Sequence, residues 1–351
     1  IPVVIHVIYN TTEQNISDAQ ILSQIMSLTK DYRRLNADTG NTPGVFKSLA
    51  ADTIIQFCLA KIDPQGNYTK GIVRKYNKTQ VFLSDDAMKF SSKGGDDSWD
   101  TTRYLNIWVC NLSGNTLGYG VLPGSPLDRD GVVIKYNAFG TIGRLAVPYT
   151  KGRTATHEIG HWLGLKHLCG DAACSDDGIA DTPLQETSNT YCPKFPHLSS
   201  CFTNSYGDMF MNFMDFTDDG CMNLFTKGQK AAMRGLFASG GPRNSFLNSN
   251  VCDGSLAEGG PVAEDSQTNP IKIKTYANPF DNSVTITCDN QSKVIGHSLK
   301  IYNTAGKLII SQIILAQNTT LALGNLPSGI YILKVESKNG EFVHKLIKQG
   351  K

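Results

Sequence analysis

Residues 157–167 read HEIGHWLGLKH, an HExxHxxGxxH pattern. Positions i and i+4 of a helix lie on one face about 6 Å apart, so His157 and His161 can bind the same metal ion. Gly164 can adopt a positive φ and end the helix, after which the chain can turn back and bring His167 to that ion. Three imidazoles leave a fourth position for water, which is typical of a catalytic zinc site.

Glu158 is adjacent to the first of these histidines and is not among the expected ligands. A carboxylate at this position can take the proton of an attacking water as general base and return it to the leaving amine as general acid. Zinc lowers the pKa of water and polarises a carbonyl, so the pattern predicts hydrolytic chemistry. The remaining histidines are isolated in the sequence and are expected to be ordinary strand or loop residues: His6, His197, His297 and His344.

The length and composition are those of a globular chain with two domains. The chain has 351 residues, of which 40% are hydrophobic and 18% charged, and a domain has about 150 residues. The net charge is only +2, whereas proteins that bind nucleic acid through its phosphates have a strong basic excess. Nucleic acid is therefore not an expected partner. No run of eighteen apolar residues occurs, and the chain opens directly into IPVVIHVIY. We therefore expect no membrane span, no signal peptide, and a processed or trimmed chain.

The region before the histidine motif predicts mixed sheet and helix. Pro2 to Tyr9 is a β-branched run typical of a strand, and Ser17-x-x-Gln20 forms a capping box in front of a helical pattern. Further strands are expected at 53–62, 71–76, 104–112, 118–122 and 131–136. Together these elements predict an α+β fold.

The segment after the motif, residues 169–223, has little periodicity and many Asp, Gly, Pro and Cys residues, which predicts irregular structure. The whole chain has nine Cys residues, and four of those in this segment suit disulfides in an oxidising compartment: Cys174, Cys192, Cys201 and Cys221. An odd total leaves at least one thiol free. Cys58 and Cys110 lie in apolar runs and are expected to be buried small hydrophobes. A second capping box, Thr226-x-x-Gln229, predicts a helix through about residue 237.

A compositional boundary lies at residues 253–270, DGSLAEGGPVAEDSQTNP, which contain no aromatic residue and have linker composition. All nine Arg and three Trp lie before residue 244, whereas residues 266–351 contain ten Lys against two Asp and two Glu. Short β-rich runs after the linker, separated by NTAGK, LPSG and KNGE, predict a small antiparallel sandwich without a catalytic cluster. We expect a catalytic domain at 1–252, a linker at 253–270 and a β-sandwich at 271–351.

Three segments carry a resemblance to a known family: GRTATHEIGHWLGLKH at 152–167, ADTP at 180–183, and MNFMDFTDDGCMNLFTKGQ at 211–229. They resemble the metzincin metalloproteases and, within them, the pappalysin family, particularly its smaller bacterial members of the ulilysin and mirolysin type. The resemblance covers about residues 1–250. It implies a secreted zinc endopeptidase with a mixed twisted sheet, an active-site helix and an irregular, disulfide-stapled lower subdomain.

The resemblance also implies roles for individual residues. Met214 matches the Met-turn methionine that lies beneath the zinc ligands, with Met211 a weaker rival. Asp219 matches the acidic residue at the base of the S1′ pocket that selects Arg or Lys after the scissile bond. The family's two disulfides correspond to pairs between Cys174 and Cys201 and between Cys192 and Cys221, one of the three pairings that four Cys allow.

Structural calcium is a further implication of the resemblance. Asp177 and the Thr182 carbonyl offer hard oxygen ligands, and three more Asp residues are additional candidates: Asp171, Asp176 and Asp181. Asp-rich turns also occur without a metal, so the alternative is an ordinary polar loop.

Phe216 is a departure from the family pattern, because ulilysin-like members have Tyr two residues after the Met-turn methionine. The Tyr hydroxyl can steady the oxyanion, and the loss of such a donor costs about 10² to 10³ in rate where the donor matters. Zinc can carry that charge alone, so we expect an active enzyme.

The last 80 residues resemble the C-terminal sorting domain of the type IX secretion system of Gram-negative bacteria. NPFDNSVTI at 278–286, SLKIYNTAGKLI at 298–309 and LPSGIYILKVESKNGEFVHKLIKQ at 326–349 carry this resemblance. It implies export across the outer membrane, with the secretion machinery as a partner and a secreted or cell-surface location. The alternative is an accessory sandwich that binds a surface or a carbohydrate.

Two other functions compete with the protease. The first is a catalytically silent, zinc-stabilised secreted binding protein, against which Glu158 argues because a structural site does not require the base. The second is a zinc amidase acting on a non-peptide substrate, which the motif alone does not separate from a protease.

Overall fold

A computed structural model describes residues 1–201, 206–252, 273–288, 298–314, 318–337 and 340–349. The chain divides into two compact units, Ile1–Gly260 and Pro261–Lys351. Each unit has a hydrophobic core of its own. The expected linker at 253–270 lies outside the described residues.

The first unit is built from short helices and a mixed sheet. Its helices are α1 (Asp18–Tyr32), α2 (Gly44–Lys47), α3 (Arg153–Trp162) and α4 (Lys227–Gly235). Its strands are β1 (Pro2–Tyr9), β2 (Cys58–Leu59), β3 (Ile72–Tyr76), β4 (Leu105–Cys110), β5 (Gly118–Gly120), β6 (Val132–Lys135), β7 (Thr190–Tyr191) and β8 (Phe216–Thr217).

Strands β1 to β6 form one sheet in the order β2-β1-β4-β6-β5, with β3 pairing the same side of β1 beyond β2. All pairs are parallel except β5 with β6, which is antiparallel and leaves β5 at the edge. Strands β1 and β4 are buried along almost their whole length, as expected for parallel strands covered on both faces. The α+β expectation is confirmed.

Helices α1 and α3 lie together, and hydrogen bonds fix one against the other. The Tyr32 hydroxyl donates to the Thr156 carbonyl oxygen at 3.0 Å, and Gln24 Nε2 donates to the Gly152 carbonyl oxygen at 2.9 Å. Apolar side chains of both helices share one core with the inward residues of the sheet. Helix α3, which carries the histidine motif, is therefore held from its start.

Two local expectations are wrong. The strand expected at 53–62 is reduced to Cys58–Leu59, because Ile54 adopts φ 62° and the Thr53 N–H and hydroxyl both donate to the Tyr32 carbonyl at the end of α1.

The capping box expected between Ser17 and Gln20 is only half formed. Ser17 Oγ accepts the Gln20 N–H, but the Gln20 side chain donates to the Phe139 carbonyl oxygen at 2.8 Å and ties α1 to the β6–α3 connection.

Where the segment between α3 and α4 is described, residues 163–201 and 206–226, it is irregular apart from the short parallel pair β7–β8. Disulfides join Cys174 to Cys201 and Cys192 to Cys221, the pairing that the resemblance implies. Helix α4 begins with a complete capping box between Thr226 and Gln229 and ends at Gly235, two residues before the expected end.

Cys58 corrects an expectation, because it is paired with Cys252 and is not a free buried thiol. The bond joins strand β2 to the last described residue of the first unit. Cys110 is buried and free as expected, and Cys169 is also a free thiol.

The second unit contains two antiparallel sheets around one core, which agrees with the expected sandwich. The first sheet has the order β13-β10-β9, with β9 (Ile273–Tyr276), β10 (Ser283–Cys288) and β13 (Asn318–Ala322). The second has the order β12-β11-β14-β15, with β11 (Ser298–Asn303), β12 (Leu308–Ile313), β14 (Gly329–Ser337) and β15 (Gly340–Lys348). None of the described helices in either unit is long and apolar enough to span a membrane.

Candidate metal centre

Helix α3 begins and ends at glycines with left-handed backbone. Gly152 at its N-terminal end has φ 74°, and Gly164 after its C-terminal end has φ 82°. The turn at Gly164 is the one that the motif predicts, and it carries the chain toward His167. At Gly160 a Cβ atom would collide with the Met214 sulfur, so the glycine lets Met214 pack directly under the helix.

The imidazole rings of His157, His161 and His167 come together next to this turn. The Nε2 atoms of His157 and His161 are 3.1 Å apart, those of His161 and His167 are 2.9 Å apart, and those of His157 and His167 are 3.2 Å apart. Zn–N bonds of 2.0 to 2.1 Å in tetrahedral geometry separate the nitrogens by roughly 3.3 Å. Among the described residues this is the only group of three or more His, Cys, Asp or Glu side chains close enough together to hold one metal ion.

Backbone carbonyls fix the tautomers of two of the three histidines. His157 Nδ1 donates to the Phe213 carbonyl oxygen and His161 Nδ1 donates to the Leu165 carbonyl oxygen, both at 2.8 Å. Their Nε2 atoms then present lone pairs to each other, an arrangement that a shared cation relieves. Burial lowers the pKa of all three histidines, that of His167 to about 4, so the neutral form that binds metal is favoured. The donor set therefore fits zinc.

Glu158 is buried beside the histidines, and burial raises its pKa to about 8. The Gly120 backbone of the edge strand β5 faces this carboxylate and partly offsets the rise in its pKa. A Cβ atom at Gly120 would lie 2.5 Å from the Glu158 carbonyl oxygen, and one at Gly118 would lie 3.1 Å from the Glu158 side chain. The glycines of β5 thus allow the strand to lie directly on α3 and to position the carboxylate.

The segment that carries Met214 forms the floor of the centre. Met214 is fully buried, and the preceding carbonyl, that of Phe213, accepts the hydrogen bond from His157. The Phe216 ring lies 4.5 Å from the His167 ring and 5.5 Å from the His157 ring, and it is 47% exposed. Phe216 therefore lies at the edge of the site, at the position where ulilysin-like proteins have Tyr, and it provides no hydroxyl there.

Asp219 is buried at the other end of α3. Its Oδ2 accepts the Lys151 N–H at 2.7 Å and the Arg153 N–H at 3.3 Å, so it caps a helix whose own N-cap, Gly152, has no side chain. Among the described residues no hydrogen-bond donor or cationic side chain contacts Asp219 Oδ1. Burial raises the pKa of this carboxylate.

Sequence reasoning missed Arg153, whose guanidinium is 3% exposed at the first position of α3. It donates to the carbonyl oxygens of Asp219 and Met222 and pairs with Asp38 at 2.7 Å and Asp31 at 3.5 Å. The two acidic partners lie more than a hundred positions earlier in the chain, and nothing in the local pattern indicates them.

A second ion pair at the C-terminal end of α3 was missed for the same reason. Asp130 accepts the Trp162 indole N–H at 3.1 Å and pairs with Arg243, whose guanidinium lies 3.8 Å above the Trp162 ring. Both buried arginines therefore anchor α3, the helix that carries His157 and His161.

The candidate calcium ligands are only partly brought together. Asp177 accepts hydrogen bonds from the Thr182 hydroxyl at 2.8 Å and from the Ile179 N–H at 2.9 Å. Asp181 has another role, because its two oxygens accept the Thr226 hydroxyl and the Gly228 N–H at the start of α4. Asp171 pairs with Lys166 at 2.8 Å, and Asp176 Oδ1 accepts the Gly178 N–H.

Comparison with known proteins gives matches over both units. The family model described as pregnancy-associated plasma protein-A matches residues 90–238, and the model of a secretion system C-terminal sorting domain matches residues 274–349. An extracellular metalloprotease of Pyricularia oryzae is 31% identical over 246 residues, which are 67% of this chain and 73% of that protein. Extracellular metalloproteases of Podospora anserina and Sordaria macrospora are each 35% identical, and the matches span about half of their length, 48% and 53%.

Solved structures of one protein also match. Mature mirolysin of Tannerella forsythia in complex with a cleaved peptide is 53% identical with a TM-score of 0.69, and the match covers 70% of this chain and 94% of that one. Mirolysin in complex with compound 9 is 51% identical with a TM-score of 0.70, and the match covers 74% of this chain and 98% of that one.

Proposed function

This chain belongs to the pregnancy-associated plasma protein-A, or pappalysin, family of metalloproteases, and on that premise we propose that it is a secreted zinc endopeptidase. The two sequence resemblances, to pappalysins and to a type IX sorting domain, are confirmed by the family models. The observation that carries the proposal is the convergence of three histidine Nε2 atoms within 3.2 Å of one another beside a buried glutamate.

His157, His161 and His167 would hold one Zn²⁺ through Nε2, with Met214 packed beneath them. Bound zinc supplies positive charge that lowers the pKa of water and polarises a carbonyl. Glu158 would accept the proton of the attacking water and pass it to the leaving nitrogen. The Gly120 backbone, which faces that carboxylate, would help to keep it in place between the two transfers.

The substrates would be proteins or peptides with Arg or Lys after the scissile bond, selected by Asp219. A buried carboxylate with one oxygen free of protein donors gains most from a cationic partner, because the partner relieves its desolvation. A solved structure of the relative mirolysin is in complex with a cleaved peptide, which supports peptides as the substrate class.

Structural calcium would bind near Asp177 and the Thr182 carbonyl. Asp177 is half-buried and burial raises its pKa, so a divalent cation there would stabilise the ionised carboxylate. Thermal unfolding with and without Ca²⁺ tests this site. Calcium should raise the midpoint of the wild type and not that of Asp177→Asn, and equal midpoints in the wild type would remove the proposal.

The second unit would direct export. We assign residues 1–252 to the protease, 253–270 to a linker and 271–351 to a sorting domain that engages the secretion machinery. The match to a sorting-domain model over residues 274–349 supports this assignment. Deletion of residues 271–351 should abolish appearance of the protein outside the cell, and unchanged export would contradict it.

Hydrolysis of a quenched peptide with one internal Arg tests the activity. The wild type should cleave it, a zinc chelator should stop cleavage, and added Zn²⁺ should restore it. A folded protein that binds zinc but cleaves neither this peptide nor a mixed peptide pool would favour the silent binding protein or the non-peptide amidase.

A further inference from the structure

Five charged side chains meet at the N-terminal end of α3. Arg153 and Lys151 are cationic, and three carboxylates face them: Asp31, Asp38 and Asp219. Arg153, Asp31 and Asp219 are almost completely buried, whereas the Lys151 side chain is 45% exposed. With all five groups ionised, this cluster has one more negative than positive charge.

The contacts show where the uncompensated negative charge lies. Asp38 Oδ1 pairs with Arg153 and its Oδ2 pairs with Lys151 at 2.9 Å. Asp31 Oδ1 lies 3.5 Å from the Arg153 guanidinium, and its Oδ2 accepts the Thr156 hydroxyl at 2.9 Å. Asp219 Oδ2 accepts two backbone amides, and within the described residues its Oδ1 is the carboxylate oxygen of the cluster that meets no donor.

The Arg153 guanidinium is also close enough to Asp219 to matter electrostatically. It donates to the Asp219 carbonyl oxygen. Two charges a few ångströms apart in a poorly solvated region have a strong electrostatic interaction energy. If the charge of Arg153 were not neutralised by Asp38 and Asp31, it would offset the charge of Asp219 and disfavour a second cation beside it. Asp38 therefore controls the potential that a basic side chain would meet.

We propose that Asp38 and Arg153 are positioning residues for the selection of a basic side chain after the scissile bond. Arg153 holds the loop that carries Asp219 through the Asp219 and Met222 carbonyls, and Asp38 neutralises Arg153 so that the net negative charge stays on Asp219. This inference rests on the proposed selection by Asp219 and adds two residues that do not themselves contact the substrate.

Asp38→Asn removes one negative charge and keeps an oxygen that can accept the Arg153 hydrogen bond. At pH 8, kcat/KM for a peptide with Arg after the scissile bond should fall about tenfold, mainly through KM. The same peptide with Leu at that position should be cleaved as by the wild type. A purely structural role would change both substrates alike.

Lys151→Gln changes the charge of the cluster in the opposite direction. It removes the positive charge that pairs with Asp38 at the exposed side of the cluster. The Arg-to-Leu ratio of kcat/KM should then rise. This variant decides the question if Asp38→Asn fails to fold, and a ratio that stays the same or falls would overturn the inference.

Asp130→Asn is the matched control, since Asp130 also pairs with a buried arginine, Arg243, which contacts Trp162 at the other end of α3. It should leave the Arg-to-Leu ratio unchanged. A wild-type ratio near one would overturn the proposed selection by Asp219 and this inference with it. A strong wild-type preference that Asp38→Asn and Lys151→Gln both leave unchanged would overturn the inference alone.

Discussion

Asp219 accepts the Lys151 backbone amide at 2.7 Å, so the residue proposed to select the substrate also caps the helix that carries two of the proposed zinc ligands, His157 and His161. The capping contact uses Oδ2 and leaves Oδ1 for another partner. Specificity and the position of His157 and Glu158 are thereby linked through one carboxylate. Substitutions of Asp219 therefore have to distinguish the effect of its negative charge from the effect of its hydrogen bonds to the start of α3.

Asp219→Asn should remove the charge and keep an oxygen acceptor for the cap. We expect the free energy of unfolding to stay within about 1 kcal/mol of the wild type and the preference for Arg or Lys to fall at least tenfold. Asp219→Ala removes the cap as well and should cost a further ~1 to 2 kcal/mol. Denaturant unfolding and kcat/KM for the Arg and Leu peptides measure the two effects. Equal preference in Asp219→Asn and the wild type would exclude this carboxylate as the selecting group.

Phe216→Tyr should restore a hydroxyl at the edge of the metal centre, where the ring lies 4.5 Å from that of His167. If oxyanion stabilisation limits turnover, kcat should rise by up to about 10²-fold with little change in KM. Phe216→Leu serves as the control for altered packing without a donor. An unchanged kcat in Phe216→Tyr would show that the missing hydroxyl does not limit the reaction.

Gly120→Ala should disturb the contact between β5 and α3, because the added Cβ would lie 2.5 Å from the Glu158 carbonyl oxygen. The strand must then move away from the Glu158 carboxylate. We expect kcat to fall more than tenfold and stability to fall by roughly 1 to 3 kcal/mol. Gly44→Ala, where a Cβ would meet nothing within 4 Å, should change neither quantity. Wild-type kcat in Gly120→Ala would contradict this role of the strand.

Asp31 should make the stability of the fold depend on pH, because burial raises its pKa from 3.8 to about 6. The folded state then binds the proton more tightly than the unfolded state. The contribution of Asp31 to stability is fully present below about pH 4 and is lost as the pH rises through about 6.

Asp31→Asn does not titrate, so its stability relative to the wild type should improve by roughly 3 kcal/mol between pH 4 and pH 7. Denaturant unfolding of both proteins at several pH values measures the difference, in which the histidine titrations cancel. A difference that is constant with pH, or that changes in the opposite direction, would contradict the raised pKa.

The parts of the site that depend on short-range spacing could be predicted from sequence. His157, His161 and His167 lie within eleven residues, and helix geometry with a glycine turn is enough to bring them together. The resemblance to pappalysins added Met214, Asp219 and two disulfide pairings, none of which spacing alone determines. Runs of β-branched residues, such as Pro2–Tyr9, also became strands as expected.

The parts that depend on distant partners could not be predicted. Cys58 is paired with Cys252, 194 positions away, and the environment of each residue in sequence gives no indication of the other. Arg153 meets Asp31 and Asp38 only after α1 has packed on α3. Even the box at Ser17 was misjudged, because a tertiary acceptor, the Phe139 carbonyl, competes for the Gln20 side chain.

Glu158 is the proposed base of a three-histidine zinc peptidase, and Glu158→Gln tests this role most directly. The purified variant should retain one zinc per chain, because its three ligands are unchanged, while cleavage of the quenched Arg peptide should fall by about 10² to 10⁴. Zinc content and hydrolysis are measured on the same preparation beside the wild type. A variant that binds zinc and cleaves the peptide at the wild-type rate would contradict the assignment.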